Sequence, residues 1–245
     1  MNMTLMQGIQ TALATIYPAR CLGCGEVVDS DFGLCGTCWR DVDFIGGTVC
    51  DGCGDPLPGK SDEAVQCDAC LVSPRPWVQG RAALLYRDTG RRLVLALKHG
   101  DRQEIARPAA RWMATAVRAL VTEDTLVAPV PLHWRRLLAR RYNQSALLGR
   151  ALARHLDLAW CPDLLQRRRH TRSLDGLGRE ERHAVLAGAL SLHPKRAHLV
   201  PDRPVLLVDD VMTSGATLGE ATRVLQAAGS GAVRVVTLAR VTKEA

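Results

Sequence analysis

Aromatic side chains are scarce in this sequence, at 4% of 245 residues. That excludes a core of stacked rings and, beside 47% hydrophobic residues, predicts an aliphatic α/β core. Long apolar runs are missing too: none approaches the roughly 20 residues that a membrane-spanning helix needs. The first twenty residues lack a basic start and a cleavage site, which argues against a secretory signal. Instead Leu5, Met6, Ile9, Leu13 and Ile16 fall at helical spacing and predict a short packed helix. The expected compartment is the cytoplasm. Acidic residues are the minority, 25 against 32 Lys and Arg, for a net charge of +7. Such a balance points to anionic partners without choosing between nucleotides and nucleic acid. The chain has no low-complexity tract, and no internal repeat beyond its cysteine pairs.

Cysteine is what the first part of the chain does have. Eight of nine cysteines form four C-x-x-C pairs: Cys21/Cys24, Cys35/Cys38, Cys50/Cys53 and Cys67/Cys70. Each pair can wrap a knuckle around a metal, and eight thiolates suffice for two tetrahedral zinc sites of four cysteines each. Disulfides are a competing reading, disfavoured in a reducing compartment. An iron–sulfur cluster is another, although the C-x-x-C-x-x-C run is missing. Spacing does not fix which pairs share a metal; consecutive pairing is the simpler assumption. With four cysteines per ion no coordination position stays open, so such sites are structural. Cys161, alone after Trp160, is expected to be a buried small hydrophobe.

Beyond a linker at "SPRPW" (73–77), the periodicity changes to alternating strands and helices. A strand and turn are expected at 79–90, a short helix carrying Lys98 at 91–100, and a longer helix at about 104–121. A buried strand follows at 126–132, then a helix from about 143 to 156. The charged segment 167–182, with Gly176 and Gly178, has the composition of a mobile loop. By composition alone, Arg167, Arg168 and Arg169 are a solvated charge run and His133 and His170 ordinary loop histidines.

The stretch "VLLVDDVMTSGATL" (205–218) carries the most information. Val205 to Val208 resemble a strand buried on both faces of a parallel sheet. Asp209 and Asp210 are expected at its C-terminal end, where open α/β sheets bind ligands. Thr213, Ser214, Gly215, Ala216 and Thr217 then lead into a helix ending near Gly229. Small residues at a helix N-terminus direct N–H groups and hydroxyls at one spot, which suits a phosphate. The paired carboxylates would repel that anion unless they held sugar hydroxyls or a hydrated Mg²⁺.

This stretch resembles the phosphoribosyl pyrophosphate (PRPP) signature of type I phosphoribosyltransferases. The whole chain resembles the ComF family of competence-associated proteins, through "YPARCLGCG" (17–25), "LALKHGD" (95–101), "APVPLHWRRLLARRYNQSALLGRAL" (128–152) and "HTRSLDGLGREERHAVLAGAL" (170–190). The resemblance implies an N-terminal helix and double zinc ribbon over residues 1–72, with about two zinc ions. It implies an α/β phosphoribosyltransferase-like domain, a parallel sheet flanked by helices, over 73–245. Asp209 and Asp210 would hold the ribose hydroxyls and Thr213 to Thr217 the 5′-phosphate, with Mg²⁺ accompanying PRPP. Pro131, Leu132 and His133 would form the pyrophosphate loop with Arg135 close by. Lys98, Arg140, Asn143 and Gln144 match other motif positions, and the 167–182 loop would close as a lid. The family often has Gly where Arg141 stands, Gln at Leu174 and Asn at Val185. Asn2 follows Met1 where a glutaminase half would need a cysteine, and Met212-Thr213 stand where purine-salvage members carry a base-contacting aspartate. Two functions are compatible with the resemblance. One is a PRPP-dependent transferase; the other is a DNA-uptake protein that binds sugar phosphates, single-stranded DNA or other uptake proteins without transfer chemistry.

Overall fold

The structure, a computed structural model, describes residues 18–29, 33–169, 181 and 185–242. The expected N-terminal helix and most of the 170–182 segment, with His170, Leu174, Gly176 and Gly178, lie outside the described residues.

Two short helices, α1 (Gly36–Arg40) and α2 (Asp68–Val72), belong to the cysteine segment. The α/β part then runs β1 (Gln79–Leu85), α3 (Asp88–His99), α4 (Ala106–Val117), β2 (Leu126–Pro129), α5 (Trp134–Arg140), α6 (Gln144–Leu156) and β3 (Ala159–Trp160). A hairpin of β4 (Leu165–Arg167) and β5 (Leu190–Leu192) follows, then β6 (Val205–Met212), α7 (Ala216–Ala227) and β7 (Val233–Arg240). Five strands make one parallel sheet in the order β1-β7-β6-β2-β3; β4 and β5 pair antiparallel as a separate ribbon. Among the described residues no helix is long and apolar enough to cross a membrane.

The apolar run of β6 explains the layering. Leu206 and Val208 pack into one cluster with Leu93, Met113, Leu148 and Leu152 of α3, α4 and α6. Val205 and Leu207 pack into the opposite cluster with Leu218 and Leu225 of α7 and with Leu165 and Leu190 of the ribbon. Alternate side chains thus bury both faces, as a parallel sheet requires. Helix α4 meets its cluster through Ala109, Ala110, Met113, Ala114 and Val117, a stripe at helical spacing.

The cysteine segment straddles one edge of this sheet. Leu22 and Val42 join the first cluster, whereas Cys50, Cys53, Cys70 and Trp77 join the second. Between them, residues 43–45 pair antiparallel along the free edge of β1: Leu85 N donates to Asp43 O at 2.9 Å and Ile45 N to Ala83 O at 3.0 Å. An edge strand otherwise exposed to intermolecular pairing is thereby covered. The 73–77 connector is packed as well, since Trp77 is 4% exposed and its Nε1 donates to Gly52 O at 2.6 Å.

Strand β6 corrects one expectation. Asp209 and Asp210 do not follow the strand but lie within it, because the ladder with β7 continues to Met212 opposite Arg240. On the other side β2 stops at Pro129, opposite Val208. The aspartates therefore stand where β6 has lost one neighbour and kept the other. After β2 the chain moves outward to β3, and after β6 it moves the opposite way to β7. Such a reversal opens a crevice at the carboxyl ends of the two strands.

Candidate functional site

The cysteines gather into two tetrads, Cys21, Cys24, Cys35, Cys38 and Cys50, Cys53, Cys67, Cys70, with the sulfurs of each within 4.8 Å of one another. This is the consecutive pairing, and the cysteines are free thiols rather than disulfides. Cys24 and Cys35 Sγ are 3.7 Å apart, as are Cys53 and Cys67 Sγ. A tetrahedron with arms of about 2.3 Å has edges of about 3.8 Å, so both tetrads fit a zinc ion held by four thiolates. Backbone amides orient the sulfurs: Cys35 N donates to Cys21 Sγ and Cys67 N to Cys50 Sγ, both at 3.2 Å. Cys161 is 4% exposed in the core, as a small hydrophobe would be.

A cavity of about 480 Å³ opens at the crevice, within the range of small-molecule sites. Asp209, Asp210, Lys98, Pro131, Leu132, Arg140, Thr213 and Thr217 all line it, so the structure gathers these predicted residues in one place. Lys98, at the end of α3, puts Nζ 3.5 Å from Asp210 Oδ2. Ser145, in the first turn of α6, donates from Oγ to Asp209 Oδ1 at 2.8 Å, and Asp210 N donates to the same oxygen at 2.9 Å. Burial and then the Asp210 charge push the Asp209 carboxyl up to about 7, against the pull of the Ser145 hydroxyl and Lys98.

The 213–217 turn is built on glycine. Gly215 caps α7 at φ +78°, and a Cβ there would meet the Trp77 ring at 2.8 Å. Only glycine meets both demands. Ser214, Gly215 and Ala216 form the turn itself, with Ala216 N donating to Ser214 Oγ at 3.4 Å, while Thr213 and Thr217 line the cavity. Asn143 ties the opposite wall together: its Oδ1 accepts from Ser145 N and its Nδ2 donates to Val130 O, both at 3.0 Å. Its role is to cap α6 and hold the loop after β2.

Two predicted residues lie elsewhere. His133 is buried and caps α5, its Nδ1 accepting from Arg135 N at 3.3 Å. Arg135 stacks over the exposed Trp134 ring, 5.3 Å from its centroid, instead of facing the cavity. After β2 the chain forms the loop 130–133 and then enters α5, on which residues four apart share a helix face. Arg136 and Arg140 line the cavity on that basis; an i, i+4 count on "WRRLLAR" would have found Arg136. Arg167 is a further correction, since it belongs to β4 and lines the cavity rather than a solvated charge run. Burial and the Arg136 charge lower its pKa, while Asp209 raises it. Gln144, Ser145 and Tyr86 also line the wall; only Gln144 carried a motif signal.

Crevice, paired carboxylates and glycine-capped turn define the class as a phosphoribosyltransferase-type domain joined to two cysteine tetrads. Family models agree: the phosphoribosyl transferase domain matches residues 143–245 and the double zinc ribbon domain residues 12–71. Competence protein F of Haemophilus influenzae is 32% identical over 234 residues, 93% of this chain and 100% of that protein. The DNA utilization protein YhgH of Escherichia coli K12 is 32% identical across 85% of this chain and 91% of its own length. Its Salmonella typhimurium namesake is 34% identical across 86% and 92%. The chain belongs to the ComF family. A solved structure of the allosteric regulatory enzyme of purine biosynthesis aligns at a TM-score of 0.37 and 19% identity, covering 58% of this chain and 30% of that one. That likeness is too distant to carry any argument.

Proposed function

We propose that the protein binds PRPP with Mg²⁺ in this cleft and transfers its phosphoribosyl group to a nitrogen acceptor, within the cytoplasm. Residues 1–72 would form the metal module and 73–245 the transferase-type domain. The observation that carries the reading is the pairing of opposite charges in one cavity: Asp209 and Asp210 beside Lys98, Arg136, Arg140 and Arg167, above a helix N-terminus. A purely anionic ligand has no use for the carboxylates, and a bare cation has none for the arginines. A phosphorylated sugar with hydroxyls and a divalent ion uses both.

In this reading the N–H groups at 214–217 hold the 5′-phosphate. The aspartates accept hydrogen bonds from the ribose hydroxyls, with Ser145 orienting Asp209 and Lys98 restraining Asp210. Arg136, Arg140 and Arg167 draw in the pyrophosphate and stabilise the charge it gains on leaving. Magnesium accompanying PRPP, with Asp209 and Asp210 as the carboxylates that could hold it, would supply positive charge to offset the same charge. The test is Mg²⁺-dependent pyrophosphate release from PRPP with a panel of nucleobases and amines. Release with any of them, abolished by Asp209→Asn with Asp210→Asn, supports transfer; no release from the full panel refutes it.

A specific observation favours a second reading, nucleic-acid handling in DNA uptake. Trp134 and Leu138 are 57% and 72% exposed on α5, among Arg135, Arg136, Arg140 and Arg141. Exposed aromatics among arginines suit stacking against single-stranded bases. The names of the relatives, competence and DNA utilization, fit this role. Single-stranded DNA binding that weakens steeply with salt and is undisturbed by PRPP would support it.

A further inference from the structure

The second cysteine tetrad lies directly behind the 213–217 turn, and two arginines span the gap. Arg240, at the end of β7 and 5% exposed, donates from Nη1 to Thr213 O at 2.7 Å. Its Nη2 donates to Cys53 Sγ at 3.5 Å, and its Nε faces Asp55 Oδ1 at 3.6 Å. Arg75 repeats the pattern one residue along: Nη1 donates to Ser214 O at 2.6 Å and Nε to Cys70 Sγ at 3.4 Å. Its guanidinium sits 5.7 Å from the centre of the Trp77 ring, the ring that also supports Gly215. Two consecutive turn carbonyls are thus each held by an arginine whose other nitrogen rests on a sulfur of one tetrad. The first tetrad differs: among the described residues its sulfurs accept from backbone amides of its own segment.

We propose that the second cysteine centre positions the phosphate turn through Arg75 and Arg240, so that its metal occupancy governs anion binding in the cleft. The proposal rests on the reading of 213–217 as the phosphate site. In a trans peptide the C=O and N–H point in opposite directions. Pinning the Thr213 and Ser214 carbonyls toward the arginines therefore turns the Ser214 and Gly215 N–H groups away from them, in the direction an oxyanion needs. A zinc ion with four thiolates carries a net charge of two minus, and two guanidiniums complement it. Losing the ion frees the sulfurs to move, and with them the arginines and the turn. The first tetrad makes no such connection among the described residues, so its loss leaves the turn alone. Coupling is reciprocal, so an anion in the turn tightens zinc binding at the second tetrad and not at the first.

The test uses the full chain without ligand, by hydrogen exchange at residues 213–219 with zinc counted alongside. Arg75 is only partly buried, so Arg75→Gln is the gentler perturbation. It should keep both zinc ions yet speed exchange across the turn about tenfold, and weaken inorganic phosphate and ribose 5-phosphate binding by a similar factor. Cys67→Ser should reproduce the loosened turn and Cys24→Ser should not. Unchanged exchange in Arg75→Gln overturns the proposal, as does equal loosening by Cys24→Ser. If Cys67→Ser fails to fold, the Arg75→Gln result decides alone. A wild type that binds no sugar phosphate, with the exchange pattern as expected, would leave the coupling standing and remove only the PRPP reading.

Discussion

Replacing Asp209 by Asn isolates the electrostatic cost of the cleft. The oxygen that accepts from Ser145 Oγ and from Asp210 N can be the amide oxygen of Asn, so both hydrogen bonds survive the change. What disappears is a carboxyl whose folded pKa is raised from 3.8 to about 7. For an acid with a raised pKa, the native state binds the proton more tightly than the unfolded state does. Stability therefore falls as pH rises between the two values, and the cost is absent below about pH 4 and complete above about pH 7. At about 1.4 kcal/mol per pKa unit the ceiling is about 4 kcal/mol. The cleft is open to solvent and relaxation softens such fields, so about half of that, roughly 2 kcal/mol, is expected. For a chain of this size that corresponds to roughly 4–8 °C. Thermal unfolding of Asp209→Asn and wild type at about pH 4 and about pH 8 measures it: equal melting points in acid, and a more stable variant in base. A variant less stable than wild type in base would show that the ionised carboxylate supports the fold, and would refute the assignment of Asp209 to a ligand.

Elemental analysis should find two zinc ions per chain, and graded chelation should remove the ion of the first tetrad first, because its Cys24 is exposed; iron, or simultaneous loss, would contradict this. Arg141 holds φ +67° at the end of α5, a conformation that favours glycine. Arg141→Gly should therefore raise stability slightly, by about 0.5 kcal/mol on denaturant unfolding, and a loss would mean that the side chain makes contacts that outweigh the strain. Arg136→Ala should weaken pyrophosphate binding about tenfold while Arg135→Ala leaves it unchanged, since only Arg136 lines the cavity; calorimetric titration with pyrophosphate and Mg²⁺ distinguishes them, and the reverse order would place the wrong face of α5 at the site.

Where local pattern and tertiary role coincide, the sequence was legible. Four apolar residues at 205–208 announce a strand buried on both faces, and Leu206 and Leu207 enter opposite clusters. The cysteine spacing announces two tetrads because each C-x-x-C turn closes locally. What was missed depends on neighbours distant in the chain. Asp209 and Asp210 look like a strand's end, but β7 continues the ladder past them while β2 does not. Arg167 looks solvated until β4 pairs with β5 and turns it into the cavity. The segment 43–45 has no strand signal of its own and is extended because β1 offers it an open edge. Arg141 stands where the family often has glycine, a preference that its positive φ explains in physical terms.

A crystal structure with PRPP and Mg²⁺ at millimolar concentration tests the central claim most directly. The account predicts the 5′-phosphate against the N–H groups of 214–217, the ribose hydroxyls on Asp209 and Asp210, and the pyrophosphate near Arg136 and Arg140. A ligand bound elsewhere, or a cleft that takes up no PRPP while the turn keeps its geometry, would contradict it.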